Sequence, residues 1–444
     1  MIRRDATNEE LRHHIGNYLK MTEGDKDEME GVVGNLEDIQ HMINEDTMQS
    51  WRPQVMDIQY LYSLCGKNDC GYKMLHLATW TGEALGLVGE RKPILSSRDF
   101  PEDMDASLRR TAWGLFQIDT VVHTGFLRAS LITQVNLDRP DRHDHKTCWL
   151  PYPINGGAKE SFLSEYFDIS CNLSEIARDM SQSLFASDRR ELAALEQIKI
   201  KEVLFRRLRD WTEGLPAHFK RDDDVAPYVL VMKMRYHTLV IILLLFRAED
   251  EILGPAVEGL KTPESLTSPS PLLDCNKRDT TESAARAIAT LVHIQRGNFG
   301  FAHAHHFSIY AINLALFVLV ERQSRFDILD DVFLFLATAF ANIASRSQLG
   351  RNLFHLFRLN VRAKCQGSRI RYSPVVNVEM KTLFDEECTA RSTCDEYANG
   401  LEKLDTDERY RVLGQHRLSD MLDRYETLSS GKDDIVRGRC YDLS

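Results

Sequence analysis

Residues 105–125 read DASLRRTAWGLFQIDTVVHTG, and the spacing within this stretch decides the fold class. Leu108, Ala112, Leu115, Ile118 and Val122 recur at helical intervals and trace one stripe, while Trp113, Phe116 and Val121 make the other side apolar too. A helix apolar nearly all round leaves no face for water, so this segment is predicted to be the innermost rod of a helical assembly. Asp105 stands where an N-cap is expected, and Gly125 offers the chain a place to leave the helix.

Helical periodicity extends in both directions from this rod. Upstream, Met56, Tyr60, Leu61 and Leu64 form one run and Leu75, Leu77, Ala78, Leu85 and Leu87 another; the polar Gly66-Lys67-Asn68-Asp69 between them predicts a helical hairpin. Downstream, Pro140, Pro151, Pro153, Gly156 and Gly157 mark residues 138–157 as a long surface loop. Ile200, Val203, Leu204, Leu208 and Trp211 line one face of a helix ending near Gly214 and Pro216, and 228–246 is a strongly apolar successor. Four prolines among Ser and Thr make 254–279 the best linker, and Asp279 with Glu282 suggests a capping box for the next helix. Apolar helices follow around 306–321 and 327–345, then a moderately basic amphipathic stretch that includes Arg346, Arg351, Arg358 and Arg362. Alternating runs of β-branched residues are missing, so the expected class is all-α: a multi-helix bundle or solenoid-like array with long loops.

Composition narrows the function. With 43% hydrophobic and 27% charged residues over 444 positions, the chain can bury a sizeable core. The nine cysteines are scattered and form no C-x-x-C, which suits a reducing compartment and excludes the common zinc ribbons and clusters. A net charge of -11 argues against a basic nucleic-acid-binding body, since phosphate neutralisation needs concentrated Lys and Arg. The N-terminal segment lacks the apolar run of a secretory signal, and the apolar stretches at 239–246 and 307–320 fall short of the roughly 20 residues of a membrane span.

The stretch LRRTAWGLFQID, 108–119, resembles the middle homology region found downstream of the zinc cluster in fungal Zn2Cys6 transcription factors. Further matches stand in the family's order: LHLATWTGEALGLVG at 75–89, LRDWTEGLP at 208–216 with Trp211, and Tyr236-His237 leading to Leu245-Phe246-Arg247. Departures are equally plain. The family's two Arg-Pro steps read Arg128-Ala129 and Arg247-Ala248, its Gly-Leu-His step reads Gly86-Leu87-Val88, and its six clustered cysteines are missing from this chain. The resemblance implies a regulatory domain over 47–365, preceded by a polar acidic lead-in at 1–46 and followed by a helical extension at 366–444. It implies transcription regulation in the nucleus, without a cofactor in this chain. The implied partners are transcription machinery or regulatory proteins, a small-molecule effector and a second copy of the chain, with no membrane and with DNA contacted only through a missing or separate zinc cluster. The sequence would then be either a truncated gene product or a family member acting without its own DNA-binding module.

The residues that carry the resemblance are also the candidate site residues: Arg109, Arg110, Trp113, Phe116, Asp119, Arg128, Trp211, Tyr236 and Arg247. Charges on a mostly apolar helix must be paired, so Asp119 is expected to bond Arg128 or a helix-start arginine as a brace, with an effector contact as the alternative. His303, His305 and His306 have poor spacing for a shared metal, and no H-E-x-x-H occurs. Asp222-Asp223-Asp224 and Asp330-Asp331 resemble the magnesium-holding aspartates of all-helical isoprenoid synthases, which is the enzymatic alternative; no second metal motif with suitable spacing accompanies them, and capping or solvated turns explain them better. A plain protein-interaction scaffold is the third reading. No nucleophile elbow, P-loop or dinucleotide fingerprint is found, so the chain is read as a non-enzyme.

Overall fold

The computed structural model describes residues 68–90, 102–140, 148–149, 157–186, 194–221, 225–245, 271–321 and 327–346, with parts of 350–381. The expected lead-in at 1–46, the run from Met56 to Leu64, residues 254–270 of the linker and most of the C-terminal extension lie outside them. The described residues are all-α, as the periodicity predicts, apart from one antiparallel pair in which β1 (Cys148–Trp149), inside the expected loop, meets β2 (Lys159–Glu160) just beyond its end.

Helix α1 (Asn68–Ala84) lies against α2 (Glu102–Gly125), and α2 packs along α3 (Leu163–Leu184). Then come α4 (Ala194–Glu213), the single turn α5 (Ala217–Lys220), α6 (Pro227–Leu245), α7 (Pro271–Phe299), α8 (Phe307–Glu321), α9 (Asp331–Ala344) and the short α10 (Gly367–Tyr372). Helix α6 packs most extensively on α7, and α7 on α8. Although α6 is long and apolar enough to cross a membrane, most of it is buried within the protein, as a core helix is.

Two apolar clusters result. The larger joins α3 to α9 around Met234, Leu239, Ile312, Leu316, Leu336 and Phe340. The smaller joins α1, α2 and the segment after α2 around Leu75, Val88, Leu108, Ala112, Trp113, Phe116 and Ile132. Helix α2 is therefore the centre of the smaller cluster, and the innermost position expected for it falls to α6. The reason lies in the side chains. In the second half of α2 the buried positions are polar (Asp119, Thr120, His123 and Thr124), whereas Ile118, Val121 and Val122 are only half-buried.

Several local expectations shift with the real helix ends. Asn68 and Asp69 belong to the first turn of α1, not to a loop. Helix α2 starts at Glu102, so Asp105 lies within it and pairs with Arg109 at 2.6 Å one turn on. Helix α7 starts at Pro271, a residue suited to a first helical position; Asp279 is thus internal, and Glu282 receives Arg286 at 2.8 Å. Val203, placed on the inner face of α4 by spacing, is 52% exposed, while Leu204 and Leu208 are buried. Gly125 ends α2, but the left-handed residue is Leu127 at φ 53°. The Arg128 amide donates to the His123 carbonyl (2.9 Å) and the Leu127 amide to that of Thr124 (3.2 Å), the pair of bonds that closes a Schellman turn. Asp330 caps α9 by accepting from the amides of Val332 and Phe333 at 2.9 and 3.0 Å.

Two histidines give the fold a pH dependence. Burial beside Lys233 holds the His237 imidazole down at about 4, and burial, reinforced by His305, does the same for His306. The unfolded chain takes up these protons first, near the ordinary value of 6.5. Stability is therefore full above that pH and is lost as pH falls towards about 4, by about 3 kcal/mol per histidine. Urea midpoints measured across this window should fall steadily, and replacing both residues with Gln should remove most of the decline.

Candidate functional site

A buried carboxylate anchors the region around α2. Asp119 is fully enclosed, and its oxygens accept the amides of Leu131 (3.3 Å) and Ile132 (3.1 Å) from the segment that returns after the Leu127 turn. The Nδ1 of His123 lies 2.9 Å from an Asp119 carboxylate oxygen and 2.9 Å from the Asp119 carbonyl. Two acceptors on that nitrogen favour the Nδ1–H tautomer, so Nε2 accepts the Tyr72 hydroxyl at 3.1 Å. One carboxylate thereby ties α1, α2 and residues 131–132 together. The predicted Arg128 is not among these Asp119 contacts; two backbone amides and His123 stand in its place. Arg128 is instead close enough to Tyr72 for its charge to act on the phenol, whose pKa burial raises.

A second polar layer lies where the two apolar clusters meet. The Arg235 guanidinium, 7% exposed on α6, donates to Ser174 Oγ of α3 at 2.9 Å and to Thr120 Oγ1 of α2 at 2.7 Å. Among the described residues no carboxylate pairs with it, and its Nε finds no acceptor. Burial draws its pKa down to about 10, with Tyr166 and Cys171 pulling the other way. Beside it, the Gln117 amide donates to Cys171 Sγ (3.2 Å) and accepts the Ser170 hydroxyl (3.0 Å), and burial pushes the Cys171 thiol up to about 12. Sequence reasoning missed Arg235, although a lone arginine within the apolar run of α6 was the available signal.

Above this layer is a cleft of about 350 Å³ between α2, residues 134–139 and α3. Trp113 and Phe116, edge to face at 5.6 Å, form one wall; Gln134, Val135, Leu137, Asp138 and Arg139 form the second, and Glu175 and Arg178 the third. The Trp113 indole donates to the Leu137 carbonyl at 3.1 Å, which fixes the ring. Two arginines cross the cleft in opposite directions. Arg139 lies 4.8 Å from the Trp113 ring centre and reaches α3 through Asn172 (2.7 Å) and Glu175 (2.9 Å). Arg178 lies 5.9 Å from the Phe116 ring centre, reaches back to the Thr133 carbonyl (2.6 Å), and pairs with Asp179 at 2.7 Å.

The other predicted residues fall elsewhere. Trp211 stacks on Tyr236 at 5.5 Å and donates to the Ile169 carbonyl at 3.0 Å, so both brace the larger cluster, away from the cleft. Arg109 is engaged with Asp105, Arg110 is exposed, and Arg247 lies outside the described residues. Asp330 is occupied as a helix cap and by Arg286 at 3.2 Å, while 222–224 lie outside the described residues.

The two polar centres call for opposite outcomes on substitution. Asp119→Ala should lower the free energy of unfolding in urea by about 3 kcal/mol, since it strands two amides and a histidine. Arg235→Met should leave the midpoint unchanged or raise it, because Thr120 and Ser174 keep their bonds to the carbonyls of Gln117 (2.8 Å) and Ser170 (2.9 Å), and a buried cation is exchanged for an apolar side chain.

Comparison with known proteins gives two curated relatives. The chain is 27% identical over 216 residues to the notoamide biosynthesis transcriptional activator of Aspergillus versicolor, covering 48% of this chain and 34% of that protein. It is 24% identical over 279 residues to the nitrogen assimilation transcription factor of Emericella nidulans, covering 60% of this chain and 29% of that protein. The matches thus span about a third of the length of these relatives. No family model and no solved structure matches the chain. The chain is thus similar, at low identity, to part of two fungal transcription factors, and transcription regulation is the role this kinship supports.

Proposed function

We propose that this chain is a regulatory domain of the fungal zinc-cluster transcription-factor type, which acts in the nucleus and controls transcription by binding an effector or a partner protein. The unit assigned to this role is 47–365, with 1–46 and 366–444 as flanking segments. The observation that carries the reading is the similarity to two fungal transcription factors, over 216 and 279 residues. An arrangement of two apolar clusters joined through hydrogen bonds and one uncompensated cation suits such a role. Only a ligand with different affinity for two arrangements can shift a population, and a polar seam is a place where a second arrangement costs little apolar burial. The cleft over Trp113 and Phe116 is the seat assigned to the effector: residues 134–139 form one of its walls and continue directly from the residues that Asp119 pins.

Fusing the chain to an unrelated DNA-binding module tests this. Transcription from a reporter carrying that module's site should differ clearly from transcription driven by the module alone. Equal output from the two, with the fusion intact and nuclear, would remove the regulatory reading.

A further inference from the structure

We infer that α1, α2 and residues 127–139 form one lobe that undocks from α3 and α6 as an intact body, pivoting at the end of α2. The undocking stands on the geometry; its use as a switch rests on the regulatory reading.

Apolar burial marks the boundary. Among the described residues, Phe126 and Leu127 are the members of this lobe that join the larger cluster, and Phe167 and Cys171 are the members of the rest that join the smaller one. Hydrophobic contact therefore holds each side together and hardly crosses between them. Within the lobe, the Asp119 carboxylate, the Trp113 indole and the backbone bonds of Leu87 and Gly89 to Asn136 and Gln134 tie each part to the others. What crosses the boundary is mainly polar. Gln117, Thr120 and Ser130 bond to side chains of α3 and α6, and the Thr133 carbonyl accepts Arg178 of α3 at 2.6 Å.

Undocking exchanges these bonds for water and strands little. Thr120, Ser174 and Ser181 already donate their hydroxyls to carbonyls of their own helices, at 2.8, 2.9 and 2.8 Å. Arg235 gains by the change: docked, it is 7% exposed with an Nε that finds no acceptor, and once the lobe leaves, its guanidinium recovers water. The lobe stays attached at the end of α2, where Leu127 is buried in the larger cluster and a Cβ on Gly125 would lie 3.8 Å from the Tyr310 ring of α8. The cleft over Trp113 and Phe116 spans the boundary, since α3 contributes Glu175 and Arg178 to it. A molecule seated there meets all of its walls only in the docked arrangement, and so favours it.

Cys171 reports the motion, because it is fully buried, joins the smaller cluster from α3, and accepts from Gln117 at 3.2 Å. Alkylation of the native full chain by iodoacetamide, read at Cys171 by peptide mass, measures its exposure, and hydrogen exchange follows α2 in the same samples. At low urea Cys171 should label at a rate that urea hardly changes, since undocking bares little surface, while the amides of α2 open less often by about tenfold or more. Arg235→Met should slow the labelling about tenfold, because the docked arrangement loses a buried cation. Arg178→Ala should quicken it about fivefold, because the Thr133 carbonyl loses its donor. The two shifts have opposite signs, so either variant tests the lobe if the other fails to fold. Cys171 labelling with the urea dependence of global unfolding, α2 amides opening as often as Cys171 labels, or an unchanged or faster rate in Arg235→Met would each overturn the inference. A fusion that regulates a reporter while Cys171 stays inert short of global unfolding sinks the undocking alone. Undocking with an inert fusion sinks the regulatory reading alone.

Discussion

The Asp119 carboxylate is the constraint on which the N-terminal half of the structure depends. A fully enclosed carboxylate must have donors, and here they are two backbone amides twelve and thirteen residues further on, together with a histidine one turn along its own helix. To deliver those amides, the chain must reverse within a few residues of the end of α2. Leu127 makes the reversal possible by entering the left-handed region, an uncommon state for a bulky side chain that the surrounding packing and the Schellman bonds enforce. Once residues 131–132 are pinned, the segment passes the end of α1, where the Gly89 amide meets the Gln134 carbonyl and the Asn136 amide meets the Leu87 carbonyl, each at 2.9 Å. The same path sets Val135, Leu137 and Arg139 opposite α3 and so creates the cleft.

The contact between the two apolar clusters follows a different rule from the clusters themselves. Within each, close packing of Leu, Ile, Phe and Ala supplies the stability, and a change in geometry costs buried area. Between them, the contacts of α2, the segment after it and α3 with one another and with α6 include Gln117 with Ser170 and Cys171, Thr120 and Ser174 with Arg235, and Ser130 with Ser181 at 2.8 Å. Directional hydrogen bonds specify one register of these helices, yet each contributes only about 1 kcal/mol net. An unpaired buried guanidinium lowers the net stabilisation further. The seam is thus well specified and weakly held, which is a suitable property for a domain whose relatives are transcription factors.

Pinning and cleft are mechanically continuous. Residues 131–132 bond to Asp119 and residues 134–139 line the cleft, so the two share one short segment of chain. Through His123 and Tyr72 the helix that carries Asp119 is bonded to α1, and through Thr120 and Arg235 to α6. This chain of contacts is short and buried.

Periodicity by itself determined that the chain is helical and roughly where most helices lie: apolar spacing of three and four is enough to place helices around 108–122, 228–246, 306–321 and 327–345, since water drives any such stripe inward whatever it packs against. The residues that resemble the zinc-cluster factors, Trp113, Phe116 and Asp119 among them, were also legible, as was the need for a buried Asp119 to find a partner. Its actual partners were not legible, because backbone amides carry no sequence signal and only the Leu127 turn brings them within reach. Helix starts moved for a similar reason: Glu102 and Pro271 begin helices ahead of the side chains that looked like caps. Which face of α2 turned inward, which helix became central, and whether Arg235 would be buried were decided by tertiary structure. Those outcomes depend on residues dozens of positions apart meeting at one seam, and no local spacing encodes that meeting.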